Sequence, residues 1–124
     1  MTTRIIGTGS YVPEQIVTND DLAKIVETSD EWIRSRTGIG ERRIATLDST
    51  SGMAARAAQA ALEQAGVGAE AIDLILLGTA SPGHGFPNGA CEVQAGIGAV
   101  KAACVEYTPA CAGRLVDCYS AARL

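Results

Sequence analysis

The segment Ile72–Gly78 reads IDLILLG, an apolar run of strand length that follows a predicted helix. That helix is SGMAARAAQAALEQA, which Thr50 or Ser51 opens and Gly66 closes. Ala103–Tyr107 has strand character as well. An apolar run of this kind is expected of a strand buried on both faces. Strands that alternate with helices predict an α/β fold.

The residues before this region predict one more strand and two short helices. Arg4–Val12 is predicted as a strand. Asn19 and Asp20 are predicted to cap the first short helix. Thr28 and Glu31 have the T-x-x-E spacing of a capping box, so the second helix is expected to begin at Thr28.

Composition limits the classes of partner. The chain has 124 residues, 47% of them hydrophobic and 19% charged, and a net charge of −4. An acidic chain lacks the basic face that nucleic acid requires. The N-terminal residues MTTRIIGTGS have no apolar core of a signal peptide, and the longest apolar run is too short to span a bilayer. We therefore expect a cytoplasmic protein with neither nucleic-acid nor membrane partners.

The four cysteines carry the strongest chemical signal. Cys91, Cys104, Cys111 and Cys118 include no C-x-x-C pair, and His84 is the single histidine, so no metal site is expected. Cys111, in TPACAG, is predicted to lie in the first turn of a helix that starts near residue 109 and follows a strand. The helix dipole would favour its thiolate there, which suits acyl transfer.

Competing interpretations of these cysteines stay open at this point. On spacing alone, a packed structural cysteine is the commoner case for Cys111, and the other three are interpreted as small core residues. His84 could serve Cys111 as a general base in a hydrolase. It lies in a Gly/Pro loop, however, and two residues without a third do not make a triad.

An arginine cluster accompanies the only tryptophan. Four of the ten basic residues lie between positions 34 and 43, and Trp32 precedes Arg36 by four residues, so the two side chains share a helix face. An aromatic ring beside a guanidinium suits a nucleotide, whose base stacks and whose phosphate pairs. A solvated arginine face with Trp32 as a core anchor is an equally open interpretation.

Four segments together resemble the β-ketoacyl-acyl-carrier-protein synthase III family. They are TSDEWIRSRTGIGERR (Thr28–Arg43), IIGTGSYVPEQIVTNDDL (Ile5–Leu22), GFP (Gly85–Pro87) and ACAG (Ala110–Gly113), and they occur in the family's order. The resemblance implies a thiolase-like fold, a layered αβαβα arrangement of two similar halves. This chain would be an incomplete N-terminal half.

The resemblance also implies an activity and a set of site residues. The family's acyltransferases condense acetyl or another short acyl group from coenzyme A with malonyl-acyl-carrier protein, as homodimers. Cys111 would carry the acyl group. Trp32 would stack on the adenine, with Thr28 and Arg36 near the nucleotide, and Phe86 would close the acyl pocket across the dimer interface. The coenzyme A thioester and the carrier protein are substrates, so no cofactor is implied.

The pattern changes after Gly113. The family's catalytic histidine and asparagine of the second half match no position here, and the sequence after Gly113 places Arg114, Asp117 and Arg123 where burial is expected. We therefore divide the chain into residues 1–113, the family part, and residues 114–124, an atypical tail explained by a reading-frame change or a truncation. The alternatives are a non-catalytic fragment, half of a split enzyme, another thiolase-superfamily condensing enzyme, or a nucleotide-binding module.

Overall fold

A computed structural model describes residues 3–108 and 112–123 of the chain. The chain divides into two compact units. One unit consists of residues 12–48, and the other combines residues up to Tyr11 with residues from Ser49 onward.

The smaller unit is a two-stranded sheet with two short helices between its strands. Strand β1 (Gln15–Thr18) pairs antiparallel with β2 (Glu41–Ile44), with Gln15 opposite Ile44 and Thr18 opposite Glu41. Helices α1 (Asn19–Ala23) and α2 (Asp30–Thr37) connect them, and Gly38 ends α2 with a positive φ of 73°.

Thr18, and not Asn19 or Asp20, caps α1. The Thr18 hydroxyl accepts a hydrogen bond from the Asp21 amide at 3.1 Å, and the Asp21 carboxylate accepts one from the Thr18 amide at 3.1 Å. This reciprocal pair is a capping box. Hydrogen bonds from Lys24 and from Thr18 hold the pKa of Asp21 well below its usual range. The predicted caps are thus wrong, because Asn19 is already the first helical residue.

The cap of α2 lies one residue later than predicted. Ser29 has an extended backbone, and its hydroxyl accepts a hydrogen bond from the Trp32 amide at 3.1 Å. Helix α2 therefore begins at Asp30, and the capping box predicted between Thr28 and Glu31 does not form. Serine is as good a cap as threonine, so the two adjacent hydroxyl residues could not be distinguished by type.

The larger unit confirms the α/β pattern. Helix α3 (Thr50–Ala65) leads through a short 3-10 turn (Ala69–Ala71) into β3 (Leu74–Gly78), which α4 (Gly89–Ile97) connects to the parallel strand β4 (Ala103–Tyr107). Leu74 lies opposite Ala103 and Gly78 opposite Tyr107. Helix α5 (Gly113–Ala121) follows β4. Gly66 ends α3 with a φ of 64°, as predicted.

Strand β3 is half-buried, so the prediction of burial on both faces is wrong. Helix α4 packs on one face of the β3–β4 pair. The other face opens into a groove of about 860 Å³ beside α5. The groove is lined by Asp73, Leu74, Leu76, Ala103, Val105, Asp117, Cys118 and Ala121. The covering layer on this side is incomplete in the described part of the chain, and the apolar side chains of β3 remain partly accessible.

The predicted strand at Arg4–Val12 has no partner strand among the described residues. This segment instead lies against α3. A Cβ built on Gly7 would stand 2.5 Å from the Ala61 carbonyl oxygen, and one built on Gly9 would stand 2.5 Å from the Ala61 amide nitrogen. Contacts at alternate residues are those of an extended chain. The strand prediction fails because strand pairing depends on a distant neighbour, although the local geometry is extended.

Helix α5 turns the charged residue Asp117 toward the groove beside the sheet. Its apolar residues Leu115 and Tyr119 are 76% and 64% exposed. Asp117 is half-buried, and its Oδ1 atom is buried without a hydrogen-bond partner in the structure described here. Burial raises the pKa of Asp117 above its ordinary value. The charged form of this carboxyl therefore destabilises the packing of α5 on β3.

Replacing Asp117 with leucine should stabilise the larger unit by about 1 kcal/mol at neutral pH, because it removes a poorly solvated carboxylate from an apolar groove. Burial raises the pKa of Asp117 in the folded state. The folded wild-type chain therefore loses stability as pH rises from about 3.8, the ordinary pKa of this carboxyl, through its folded pKa. The stability difference between variant and wild type, followed by urea unfolding, should grow from pH 4 to pH 7. Glu63→Leu, which removes an exposed carboxylate, is the control. A difference independent of pH would contradict this account.

Candidate acyl-transfer and nucleotide-binding site

Trp32 and Arg36 form an exposed stack on α2. The Arg36 guanidinium carbon lies 4.8 Å from the centroid of the Trp32 ring, within cation–π range. The Trp32 side chain is 54% exposed. The predicted shared helix face is therefore confirmed, whereas the core-anchor interpretation of Trp32 is wrong. The stack presents a flat aromatic surface and a positive charge side by side.

Three of the four clustered arginines are held by contacts within the smaller unit. Arg34 pairs with Asp30 at 2.9 Å, and Arg42 donates a hydrogen bond to Asn19 at 2.9 Å. Arg43 donates to the Pro13 carbonyl at 3.3 Å. The cluster thus has two roles: these three side chains stabilise the unit, while Arg36 stacks on Trp32.

Asn19 is the centre of the network behind α2. Its side chain is 1% exposed, and its amide donates to Asp30 Oδ1 at 2.8 Å and to the Ile39 carbonyl at 2.7 Å. The hydrogen bond from Asn19, and next the bond and charge of Arg34, lower the pKa of Asp30 against the opposing effect of burial. Sequence reasoning missed this role, because an asparagine at a helix start resembles a cap.

The remaining predicted binding residues lie in different places. Thr28 is half-buried and directly precedes the Ser29 cap of α2, so it belongs to the same unit as the Trp32–Arg36 stack. Phe86 belongs to the larger unit, in the loop between β3 and α4, and is 92% exposed. The structure therefore joins Trp32 and Arg36 directly and places Thr28 just before the cap of their helix.

Cys111 lies outside the described residues. The described chain on either side consists of β4, which ends at Tyr107, and α5, which begins at Gly113. Cys111 therefore falls between a strand and a helix in the sequence, and α5 begins two residues after it. The helix start was predicted near residue 109, four residues earlier than the described start.

The one histidine is engaged elsewhere. His84 Nδ1 lies 3.2 Å from Glu92 Oε1 on α4, and the Ser51 hydroxyl donates a hydrogen bond to the other oxygen of Glu92. This pairing connects the β3–α4 loop to α4. It offers no support for a Cys–His hydrolase.

The other cysteines differ in exposure. Cys91 and Cys104 are half-buried, and Cys118 is exposed, so the core interpretation of Cys118 is wrong. Among the described residues, no group of three or more His, Cys, Asp or Glu side chains could hold a metal ion. Within the same residues, no helix has the length and apolar character needed to cross a membrane.

Comparison with known proteins identifies the family. A β-ketoacyl-[acyl-carrier-protein] synthase III 1 of Bacillus cereus is 57% identical over 115 residues, which are 91% of this chain and 37% of that protein. The crystal structure of 3-oxoacyl-[acyl-carrier-protein] synthase III from Aquifex aeolicus superposes with a TM-score of 0.93 at 47% identity, covering 97% of this chain and 39% of that one. The priming β-ketosynthase of the R1128 polyketide pathway gives a TM-score of 0.91 at 36% identity, with 96% and 36% coverage.

The comparisons also show how much of the relatives' length this chain covers. No protein-family model matches the sequence. The chain spans between 34% and 39% of the length of the curated relatives named β-ketoacyl-[acyl-carrier-protein] synthase III. The superposition confirms the predicted thiolase-like fold for this segment. By its sequence and its fold, the chain belongs to the β-ketoacyl-[acyl-carrier-protein] synthase III family.

Proposed function

We propose that the chain is the acyl-accepting segment of a β-ketoacyl-[acyl-carrier-protein] synthase III, an acyltransferase that starts fatty-acid synthesis. The observation that carries this proposal is the 57% identity to a protein of that name over 91% of the chain. The whole enzyme would condense an acetyl or other short acyl group from coenzyme A with malonyl-acyl-carrier protein. Residues of this chain would perform the first half-reaction, the transfer of the acyl group to Cys111.

In that half-reaction the Cys111 thiolate attacks the carbonyl carbon of the acyl-coenzyme A. A new carbon–sulfur bond forms, the bond to the coenzyme A sulfur breaks, and the coenzyme A thiolate leaves and takes up a proton. The start of α5 two residues after Cys111 supports this role, since the partial positive charge of a helix N-terminus favours a nearby thiolate.

The Trp32–Arg36 stack would bind the nucleotide end of coenzyme A. The exposed indole offers a stacking surface for the adenine, and the Arg36 guanidinium at 4.8 Å offers a charge for phosphate. Thr28, which directly precedes the Ser29 cap of the same helix, would lie near the entrance for the nucleotide and the pantetheine. Phe86, at 92% exposure, has the free apolar surface that a role in the acyl pocket of a homodimer requires.

The condensation step would be performed by the part of a full-length family member that this chain does not match. That step needs a histidine and an asparagine to stabilise the enolate formed from the malonyl group. The only histidine here, His84, pairs with Glu92. We therefore propose the full activity, the homodimer and the carrier-protein partner for a chain two to three times this length.

Mass spectrometry of the chain after exposure to acetyl-coenzyme A tests the proposal. We expect a mass gain of one acetyl group, located on the peptide that carries Cys111. Cys111→Ala should abolish the gain, whereas Cys118→Ala, which removes an exposed cysteine seven residues later in the sequence, should retain it. Acetylation that persists in Cys111→Ala would refute the assignment of the nucleophile.

A nucleotide-binding module without chemistry is the second candidate, and the exposed Trp32–Arg36 stack favours it. Trp32 is the only tryptophan, so quenching of its fluorescence reports binding at the stack directly. Under this second function, coenzyme A quenches Trp32 in wild type and in Cys111→Ala, and no acetyl group is transferred. Transfer that requires Cys111 selects the first function.

A third possibility is another condensing enzyme of the thiolase superfamily, such as a polyketide-priming synthase. Curated relatives at 53% to 57% identity are named β-ketoacyl-[acyl-carrier-protein] synthase III, which favours fatty-acid synthesis. Comparing acetyl-coenzyme A with longer and branched acyl-coenzyme A donors in the mass assay measures the primer preference.

A further inference from the structure

Cys91 on α4 and Cys104 on β4 face each other across the helix–sheet contact. Two hydrogen bonds align the elements: the Gly89 amide donates to Glu106 Oε2, and Gln94 Nε2 donates to the Ala102 carbonyl at 2.7 Å. The helix therefore runs antiparallel to the strand, with residues 89–94 beside residues 106–102. Interpolating between these bonds places Cys91 beside Cys104.

The side-chain directions agree with this alignment. Cys104 and Glu106 are two residues apart on a strand, so they project from the same face of the sheet, and Glu106 reaches α4. Cys91 and Gln94 are three residues apart on α4, so they share a helix face, and Gln94 reaches Ala102, the residue before β4. The Cys104 sulfur lies 3.7 Å from the Ala102 carbonyl that Gln94 also contacts.

This alignment sets the Cys91 and Cys104 side chains beside each other, and both residues are half-buried. A disulfide needs two cysteines on facing elements with their Cβ atoms directed toward one another. Partial exposure admits a small oxidant. We propose that Cys91 and Cys104 are an oxidation site that forms an intramolecular disulfide with a hydroperoxide. This inference is independent of the proposed acyl transfer.

The reaction balances with hydrogen peroxide as the oxidant. The Cys91 thiolate attacks one peroxide oxygen, giving a sulfenic acid and a hydroxide that takes up the thiol proton to become water. The Cys104 sulfur then attacks the sulfenic sulfur, and its proton leaves with the hydroxyl group as a second water. Two thiols are oxidised by two electrons, and the peroxide is reduced to two waters. Burial, and next the neighbouring Cys91 thiol, raise the pKa of Cys104, which disfavours Cys104 as the first nucleophile.

Peptide mapping of the whole chain tests the site. The chain is treated with one equivalent of hydrogen peroxide, alkylated, and digested with trypsin and a glutamate-specific protease. Cleavage after Lys101 separates Cys91 from Cys104, and cleavage after Glu106 separates Cys104 from Cys111. We expect a linked pair of peptides containing Cys91 and Cys104, two hydrogens lighter than the sum of the two, and two of the four thiols alkylated.

Variants and a denatured control complete the test. Cys91→Ser and Cys104→Ser should each abolish the linked peptides, and the matched exposed-site variant Cys118→Ser should leave them unchanged. In urea the link should form roughly tenfold more slowly, because the fold no longer holds the thiols together. A link from Cys91 to Cys111 or Cys118 instead, or equal rates with and without urea, would overturn the proposal.

Discussion

Replacing Asn19 with alanine is expected to lower the free energy of unfolding of residues 12–48 by about 3 kcal/mol. The Asn19 side chain is almost fully buried and makes three hydrogen bonds, two of them to the charged groups of Asp30 and Arg42. Hydrogen bonds to charged groups are the stronger kind, and alanine would leave both charges short of a partner.

The geometry of the unit makes this loss hard to compensate. Asn19 connects α1 to α2 through Asp30, to the chain before β2 through the Ile39 carbonyl, and to β2 through Arg42. One nitrogen of Arg42 is already buried without a partner in the described structure. Removing the Asn19 oxygen would remove the hydrogen bond that the other terminal nitrogen donates. We therefore expect the whole smaller unit to loosen.

Hydrogen exchange of the peptides from residues 12–48 measures this effect. A loss of about 3 kcal/mol corresponds to exchange roughly 150-fold faster for the amides protected by the β1–β2 pairing. Asn19→Asp, which keeps the size but loses both amide donors and sets a carboxylate beside Asp30, should be as damaging. Asn88→Ala is the matched control, since it removes only the cap of α4 in the other unit and costs about 1 kcal/mol there. Unchanged protection in Asn19→Ala would contradict the central role of this residue.

Short sequence patterns predicted the elements that depend on residues close together in the chain. The helix from Thr50 ends at Gly66 as expected, because a glycine at a helix end adopts a positive φ at little cost. Strand β4 spans Ala103–Tyr107 as predicted. The Trp32–Arg36 contact followed from helical spacing alone.

Features that depend on contacts between residues far apart in the chain could not be predicted from these short patterns. Asn19 has the residue type of a cap, and only its contacts with Asp30, Ile39 and Arg42 reveal a buried hub. Cys91 and Cys104 were interpreted as separate core residues, because their contact depends on how α4 is rotated on the sheet. The family's residues for coenzyme A and acyl transfer were assigned by resemblance, and of these the structure joins Trp32 with Arg36.

The extended segment before Tyr11 leads to the second large prediction. Gly9 lies so close to α3 that a Cβ atom would meet the carbonyl oxygen of Ala57 and stand 2.5 Å from the Ala61 amide nitrogen. Both are backbone atoms of a helix, which cannot move aside as a flexible side chain can. Gly9→Ala should therefore cost about 3 kcal/mol, or else force the segment off α3.

Detachment of the segment has a specific signature. The Thr8 amide donates to Gln64 Oε1 on α3 at 2.6 Å, so its exchange with solvent is slow only while the segment is docked. In Gly9→Ala we expect the Thr8 amide to exchange as in an unfolded chain, and trypsin to cleave after Arg4 faster than in wild type. Gly85→Ala is the matched control, because a Cβ there meets nothing within 4 Å. If Thr8 stays protected in Gly9→Ala, the segment does not lie on α3 at the distance described. The small residues of α3 would then require another explanation than close approach of an extended chain.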